Sequence, residues 1–189
     1  MAKKTRIIWL IADLIFIGVL FCADRITKLV AKDALMGGYV RVLIPEVLEF
    51  RYLENYGAAF GMLQNFRILF IILGIAAIAV IFFYLIRIPA TKKYRLLRIS
   101  LCFLSAGAAG NLYDRIVLNH VIDFIYFSNI NFPVFNVADC YVTLSTAVLI
   151  ILLLFVFREE DLDLKKLYGK AQVSKPQETE KDTEETDGE

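Results

Sequence analysis

Two stretches of the sequence are each long enough and apolar enough to cross a lipid bilayer as a helix. Residues 68–86 are 19 consecutive residues without a charge, and residues 140–157 are 18. A bilayer core about 30 Å thick takes about 20 mostly apolar residues per helical crossing. The chain is 58% hydrophobic and 22% charged, which is too apolar for a soluble domain of this length. We therefore predict an integral membrane protein.

Two further runs have the necessary length but carry charges. The one near the N-terminus is longer than the apolar core of a cleaved signal peptide, and Asp13 and Asp24 interrupt it. We therefore expect it to be retained. The predicted fold is an all-α membrane protein, one domain over residues 1–157, with four transmembrane helices at about 7–30, 67–88, 96–118 and 136–157.

Loop charges predict the orientation and the nature of the tail. The N-terminus and the loop between the second and third helices are rich in lysine and arginine, whereas residues 118–135 contain neither. Because basic loops stay in the cytoplasm, we expect both termini inside and the other two loops outside. Residues 158–189 carry 11 acidic and 6 basic side chains, which predicts a charged, disordered cytoplasmic tail.

The first outer loop has the pattern of a small sheet. Within residues 39–54 two short runs flank a Pro-Glu turn, and in the second run Phe50 and Tyr52 alternate with Glu49 and Arg51. This alternation predicts two strands with one apolar face, lying at the outer membrane surface.

Polar residues at membrane depth are the candidates for chemistry, because a buried carboxylate costs at least about 3 kcal/mol on insertion scales. Asp24 and Lys28 are four residues apart, so they share a helix face and can pair. A structural ion pair and a catalytic role are both open for them. Asn55 and Gly57 follow the second strand, where either a plain turn or a close backbone approach to a ligand fits.

The third helix carries small residues at 105–110, which suit close helix packing. They lead into Asn111, Asp114 and Arg115, whose i, i+3 and i+4 spacing places them on one face. We interpret Asp114 and Arg115 as an ion pair that, with Asn111, holds the helices together.

Asp123 and Asp139 are two carboxylates without an obvious cation. Asp123 stands among Val, Ile and Phe, and Asp139 begins the fourth helix with Asn136 one turn before it. Both lie at the same bilayer surface, because the third helix leaves the membrane where the fourth enters. They are either two unrelated helix-cap carboxylates or a pair sharing one proton. Such a pair can activate a water and protonate a leaving amine, as in aspartic proteases.

Five short motifs together resemble the lipoprotein signal peptidases (signal peptidase II) of bacteria. In chain order they are Asp-Arg-Ile-Thr-Lys at 24–28, Asn-Tyr-Gly-Ala-Ala-Phe at 55–60, Gly-Asn-Leu-Tyr-Asp-Arg at 110–115, Val-Ile-Asp-Phe at 121–124 and Phe-Asn-Val-Ala-Asp at 135–139. The resemblance spans about residues 7–157. Two departures are Cys140, where the family usually has serine, and Arg25, where glutamine is common.

The resemblance implies a membrane aspartyl endopeptidase that cuts the signal peptide from a prolipoprotein, immediately before a cysteine carrying diacylglyceryl. Asp123 and Asp139 would be its catalytic dyad. The residues that would support the site or contact the substrate are Asn55, Gly57, Asn111, Arg115, Asn136 and Asp114, with Asp24 and Lys28 as structural or pocket-side residues.

The same resemblance implies a location in the bacterial cytoplasmic (inner) membrane, an active site at the extracytoplasmic face, and a small extracytoplasmic β-cradle. It implies no metal or organic cofactor. The expected partners are diacylglyceryl-modified prolipoproteins, membrane lipid and cyclic peptide inhibitors such as globomycin. We expect a monomer and no nucleic-acid partner.

Two other functions compete with this one. A small transporter or channel could use the intramembrane acids as a path for protons or cations, but these acids cluster at one surface and no inverted repeat of broken helices is visible. A scaffold that binds partner helices through the small-residue face would leave Asp123 and Asp139 unexplained. A serine-protease triad lacks support, because no serine has an evident link to the only histidine, His120.

Overall fold

A computed structural model of the chain describes residues 3–57, 66–89 and 91–162. Its long helices are α1 (Lys3–Leu35), α2 (Arg67–Arg87), α3 (Arg95–Val117) and α4 (Val137–Ile151). Shorter segments are a π-helical turn continuing α4 (Leu152–Val156), two 3-10 turns (Lys92–Tyr94 and Ser128–Ile130) and a last helical turn, α5 (Glu159–Leu162). Within the described residues, four helical segments are long and apolar enough to cross a membrane. The predicted fold class is confirmed.

Helix α3 is the centre of the bundle. It packs against each of the other three long helices. Half of the residues in its most apolar stretch are buried inside the protein, compared with 11% in the corresponding stretch of each of the other three helices. Large apolar side chains on the outer helices, such as Ile15, Ile68 and Leu144, are more than half exposed. Such surfaces suit contact with lipid, where apolar exposure carries no penalty.

Two glycines of α3 allow α1 and α4 to approach closely. A Cβ on Gly107 would lie 2.6 Å from the carbonyl oxygen of Ala138, and one on Gly110 would lie 2.5 Å from a carboxylate oxygen of Asp24. Both distances are shorter than a real Cβ contact, so these positions have no room for a side chain. The expectation that this small-residue run serves close helix packing is confirmed.

A three-stranded antiparallel sheet covers one end of the bundle, in the order β1 (Val40–Ile44), β2 (Leu48–Asn55), β3 (Val121–Phe127). The sequence predicts the first two strands but not β3. The first four residues of β3 are all buried, so both of its faces are covered there and the alternation that indicates a half-exposed strand is missing. The third strand matters because it contains Asp123.

The apolar face of the sheet rests on the end of α1. Phe50 and Tyr52 of β2 pack with Ala31 and Leu35 of α1 and with Phe124 of β3. The ring centroids of Phe50 and Phe124 lie 5.7 Å apart in an edge-to-face arrangement. The predicted apolar face of the second strand is therefore present.

The segment before α4 joins this sheet through a backbone bridge. The amide of Ile125 donates to the carbonyl of Phe135 at 2.8 Å, and the amide of Phe135 donates back at 3.0 Å. This exchange fixes the start of α4 beside β3. It brings Asn136 and Asp139 next to Asp123, although 13 residues separate Asn136 from Asp123 in the chain.

The last described residues are held to the opposite end of the bundle. The rings of Tyr94 and Phe157 stack at 5.4 Å, and the Tyr94 hydroxyl donates to the carbonyl oxygen of Asp161 at 3.0 Å. The predicted disorder of the tail concerns mainly residues 163–189, which lie outside the described residues. Residues 58–60 of the Asn-Tyr-Gly motif also lie outside them.

Candidate active site

The Asp123 carboxylate is buried at the sheet end of the bundle, with 1% of the residue exposed. It accepts a hydrogen bond on each oxygen. The side-chain amide of Asn55 donates to Oδ2 at 2.8 Å, and the side-chain amide of Asn136 donates to Oδ1 at 2.6 Å. The β2–β3 pairing sets the first contact, because it aligns Asn55 with Val121, two residues before Asp123.

The Asp139 carboxylate belongs to the first turn of α4, where it closes a capping box with Asn136. The backbone amide of Asp139 donates to Asn136 Oδ1 at 3.0 Å, and the backbone amide of Asn136 donates to Asp139 Oδ2 at 3.1 Å. Such a box satisfies two backbone donors that a helix start leaves open. The second carboxylate oxygen, Oδ1, accepts from the Asn111 side chain at 2.7 Å.

Asn136 therefore contacts both carboxylates, through its side chain for Asp123 and through its backbone amide for Asp139. The structure brings the two aspartates to one site. It also shows that Asp139 takes part in a helix cap, whereas Asp123 lies in β3.

Three asparagine side chains present their NH₂ groups to this pair, and each is held in that orientation by a donor on its oxygen. The Asn55 oxygen accepts from the Gly57 amide at 3.0 Å, and the Asn111 oxygen accepts from Lys28 Nζ at 2.9 Å. The Asn136 oxygen accepts from the Asp139 amide. A backbone N–H and an ammonium group can only donate. An asparagine with its oxygen and NH₂ group exchanged would therefore lose the hydrogen bond that its oxygen accepts.

The pKa of Asp123 is raised to about 7, mainly by burial and next by the neighbouring Asp139 charge. Hydrogen bonds from Asn55 and Asn136 and the charge of Lys28 oppose this rise. Among the described residues no lysine or arginine forms an ion pair with Asp123 or Asp139. The pair is therefore suited to hold one proton near neutral pH.

This pKa predicts that the effect of Asp123→Asn on stability depends on pH. A carboxyl whose pKa is raised by folding contributes stability that is present below its unfolded value of about 4 and is lost as pH rises through about 7. The asparagine variant cannot ionise, so its stability relative to wild type should rise by roughly 2–4 kcal/mol between pH 5 and pH 8. Denaturant unfolding in detergent at both pH values measures this difference. Equal differences at both pH values would contradict the raised pKa.

A second polar cluster lies beneath the site and is centred on Lys28, which is fully buried. Its ammonium group lies 2.9 Å from Asp24 Oδ2 and 3.0 Å from Asp114 Oδ2, and it also binds Asn111. The predicted Asp24–Lys28 pair is confirmed. Asp24 also accepts from the amide of Ala138 at 2.9 Å, which ties α1 to the start of α4.

The predicted Asp114–Arg115 ion pair is wrong. Asp114 is fully buried and pairs with Lys28 and with Arg25, both from α1. Neighbouring residues of a helix point about 100° apart, and this separates Asp114 from Arg115 even though both are close to the Asn111 face. The role of Arg25 in this cluster had no signal in the sequence beyond its charge.

Arg115 instead faces the end of β2. Its guanidinium group donates to the carbonyl oxygen of Gly57 at 3.2 Å and to that of Asn111 at 3.3 Å. Gly57 is buried, and its amide binds Asn55. Arg115 therefore holds the turn that orients Asn55 toward Asp123.

A cleft of about 720 Å³ opens beside the two carboxylates. Its polar side contains both aspartates with Asn55, Asn111 and Arg115. Its other side is apolar and comes from β2, β3, the following loop and α4: Leu48, Val121, Ile125, Phe127, Phe132, Pro133, Val134, Phe135, Cys140 and Leu144. The aromatic part of this wall was not anticipated from the sequence. The sequence feature that indicates this wall is a phenylalanine-rich loop without lysine or arginine.

Comparison with known proteins gives consistent matches. A family model described as signal peptidase (SPase) II matches residues 16–155. A protein named lipoprotein signal peptidase from Clostridium tetani is 38% identical over 159 residues, covering 82% of this chain and 97% of that protein. One of the same name from Clostridium novyi is 40% identical over 134 residues, covering 69% of this chain and 89% of that protein.

Two solved structures, both described as a bacterial membrane enzyme determined by the in meso method, share the fold. One, at 2.3 Å, has a TM-score of 0.68 and 28% identity and covers 76% of this chain and 87% of its own. The other, at 1.9 Å, has a TM-score of 0.66 and 27% identity and covers 77% of this chain and 94% of its own.

Proposed function

The chain belongs to the signal peptidase II family, and from this premise we propose that it removes signal peptides from prolipoproteins as an aspartic endopeptidase. Asp123 and Asp139 are the proposed catalytic pair. The observation that carries the proposal is that both carboxylates border one cleft and bind Asn136, without an ion pair to any described cation.

The proposed reaction uses one proton held by the pair. The ionised carboxylate removes a proton from water as the water oxygen attacks the scissile carbonyl carbon, and the protonated carboxyl gives its proton to the carbonyl oxygen. In the second step the C–N bond breaks and the leaving amine takes a proton from the carboxyl that gained one. A hydroxyl of the tetrahedral intermediate returns its proton to the other carboxylate, so the pair again holds one proton.

The asparagines are proposed to position the pair. Their NH₂ groups favour the ionised form of each carboxylate, while burial and mutual repulsion oppose a second negative charge. The balance keeps one proton on two carboxyl groups, which is the state that the reaction requires. Asn111 also connects Asp139 to the buried Lys28 cluster.

The proposed substrate is a precursor whose cysteine carries diacylglyceryl, cut immediately before that cysteine. The mixed lining of the cleft supports this choice, since a peptide bond can lie at the carboxylates while acyl chains lie along the phenylalanine-rich wall. Acyl chains held along this wall would fix the position of the cysteine and of the peptide bond before it. Cleavage should therefore depend strongly on the lipid.

The test uses purified protein and two forms of one precursor, with and without diacylglyceryl on the cysteine. We expect the modified form to be cut at least about a hundredfold faster, because the unmodified form lacks the acyl chains that position the peptide bond. Equal rates would refute recognition of the lipid. Failure to cut either form, by protein that remains folded, would refute the proposed activity.

The loop charges support an orientation with both termini and the 87–98 loop in the cytoplasm and the carboxylate pair at the extracytoplasmic face. In this orientation the protein lies in the cytoplasmic membrane and meets precursors after their export. A reporter that works only in the cytoplasm should be active when it is fused after Arg158, and one that works only outside the cytoplasm should be inactive there. Activity of an extracytoplasmic reporter there would reverse the topology.

A further inference from the structure

A second cleft, of about 540 Å³, lies at the opposite end of the bundle between α1 and the start of α3. Arg98 borders it, and Arg98 is 16 residues from Asp114 on the same helix, about 24 Å along the axis. The cleft is therefore separate from the proposed active site. Its apolar wall contains Trp9, Phe16 and Ile99.

The interior of this cleft is electrically neutral. Asp13 pairs with Arg98 there, so that neither charge is free. The Arg98 guanidinium also donates to the backbone oxygens of Leu85 at 3.0 Å and Ile88 at 2.8 Å. The negative charge of Asp13 is thus matched within the protein and does not repel an anion in the cleft.

Two further basic residues at the edge of the cleft have no acidic partner among the residues that the structure describes. Lys92 and Arg95 are exposed, and no carboxylate within the described residues forms an ion pair with either. Their neighbour Lys93 differs, since it lies 2.6 Å from Asp161 and outside the cleft. Thr91, which also borders the cleft, adds a hydroxyl group. The edge therefore carries two positive charges in excess and one hydroxyl.

We propose that this cleft binds an anionic glycerophospholipid of the surrounding membrane. The phosphate lies against Lys92, Arg95 and Thr91, and an acyl chain lies along Trp9 and Phe16. Basic pockets between transmembrane helices bind anionic headgroups, and tryptophan is enriched at the level of the headgroups. A lipid fits better than a soluble anion because the phosphate position adjoins an apolar wall on a membrane-spanning helix.

The single tryptophan of the chain reports on this cleft directly, because Trp9 is part of its wall. The protein is placed in nanodiscs of phosphatidylcholine with increasing fractions of either dibrominated phosphatidylglycerol or dibrominated phosphatidylcholine, at constant salt. Bromine quenches tryptophan fluorescence only at contact. We expect half-maximal quenching at an about twenty-fivefold lower fraction of the anionic lipid, since each of the two basic residues contributes about a fivefold preference.

Two double variants separate this site from general surface charge. Lys92→Gln with Arg95→Gln should abolish the preference for the anionic lipid. Arg87→Gln with Lys93→Gln removes the same charge from the same end but not from the cleft, and should retain the preference. Equal quenching by both lipids in the wild type would overturn the proposal, and so would loss of the preference in the second variant. Reversal of quenching by excess inorganic phosphate would identify a site for soluble anions instead. None of these readouts depends on peptidase activity.

Discussion

Replacing Asp123 or Asp139 with asparagine is expected to lower cleavage of a lipid-modified precursor by at least about a hundredfold. General acid–base catalysis by one group contributes about 10²–10⁴ in rate, and either change removes a member of the pair that holds and accepts the proton. Asparagine keeps the shape of the side chain, but its NH₂ would face another donor. At position 123 that donor is the side chain of Asn55 or Asn136, and at position 139 it is the side chain of Asn111 or the backbone amide of Asn136. Cleavage should therefore be measured per folded protein, with the folded amount taken from size-exclusion chromatography.

Glu54→Gln provides the matched control for these variants. It makes the same change from carboxylate to amide next to Asn55, but Glu54 binds Tyr52 and Tyr56 instead of the pair. Its rate should stay within about twofold of wild type, as surface substitutions generally have small effects. If Asp123→Asn still cuts while a stably inserted Asp114→Asn does not, the proposed pair is wrong and Asp114 takes the place of Asp123.

Lys28→Met is expected to lower the free energy of unfolding by about 3–5 kcal/mol, because breaking a buried ion pair leaves an uncompensated charge. Methionine matches the unbranched four-atom stem of lysine but lacks the terminal ammonium group. Asp24 and Asp114 would then face each other, fully buried, without the ammonium group between them. Denaturant unfolding in detergent measures the loss.

Lys93→Met is the corresponding control, because Lys93 also forms an ion pair but is half exposed. Exposed ion pairs contribute about 0–1 kcal/mol, so this variant should unfold close to wild type. Similar losses in the two variants would contradict the central role of the Lys28 cluster.

The parts of the fold that local pattern determines could be predicted from the sequence. Length and hydropathy define the membrane helices, and period-two alternation defines β2. Strand β3 could not be found in this way, because it is buried on both faces and has no alternation. The contact of β3 with the segment before α4 also depends on pairing that no local pattern specifies.

The candidate site shows the same division. The spacing of Asp24 and Lys28 predicted their pairing, since both lie on one helix. Adjacency in sequence predicts Arg115 as the partner of Asp114, and this is wrong because helix packing supplies Arg25 and Lys28 from α1. Contacts between different helices depend on their rotation about their axes, and a single sequence does not reveal it.

The most direct test of the central claim is a single turnover of lipid-modified precursor in water enriched in ¹⁸O, followed by mass spectrometry of the released signal peptide. If Asp123 and Asp139 direct water at the peptide bond, the released fragment ends immediately before the lipid-modified cysteine and its new carboxylate carries one ¹⁸O. Asp123→Asn protein should release none of it. A fragment that ends elsewhere, or that carries no ¹⁸O in the first turnover, would contradict the account.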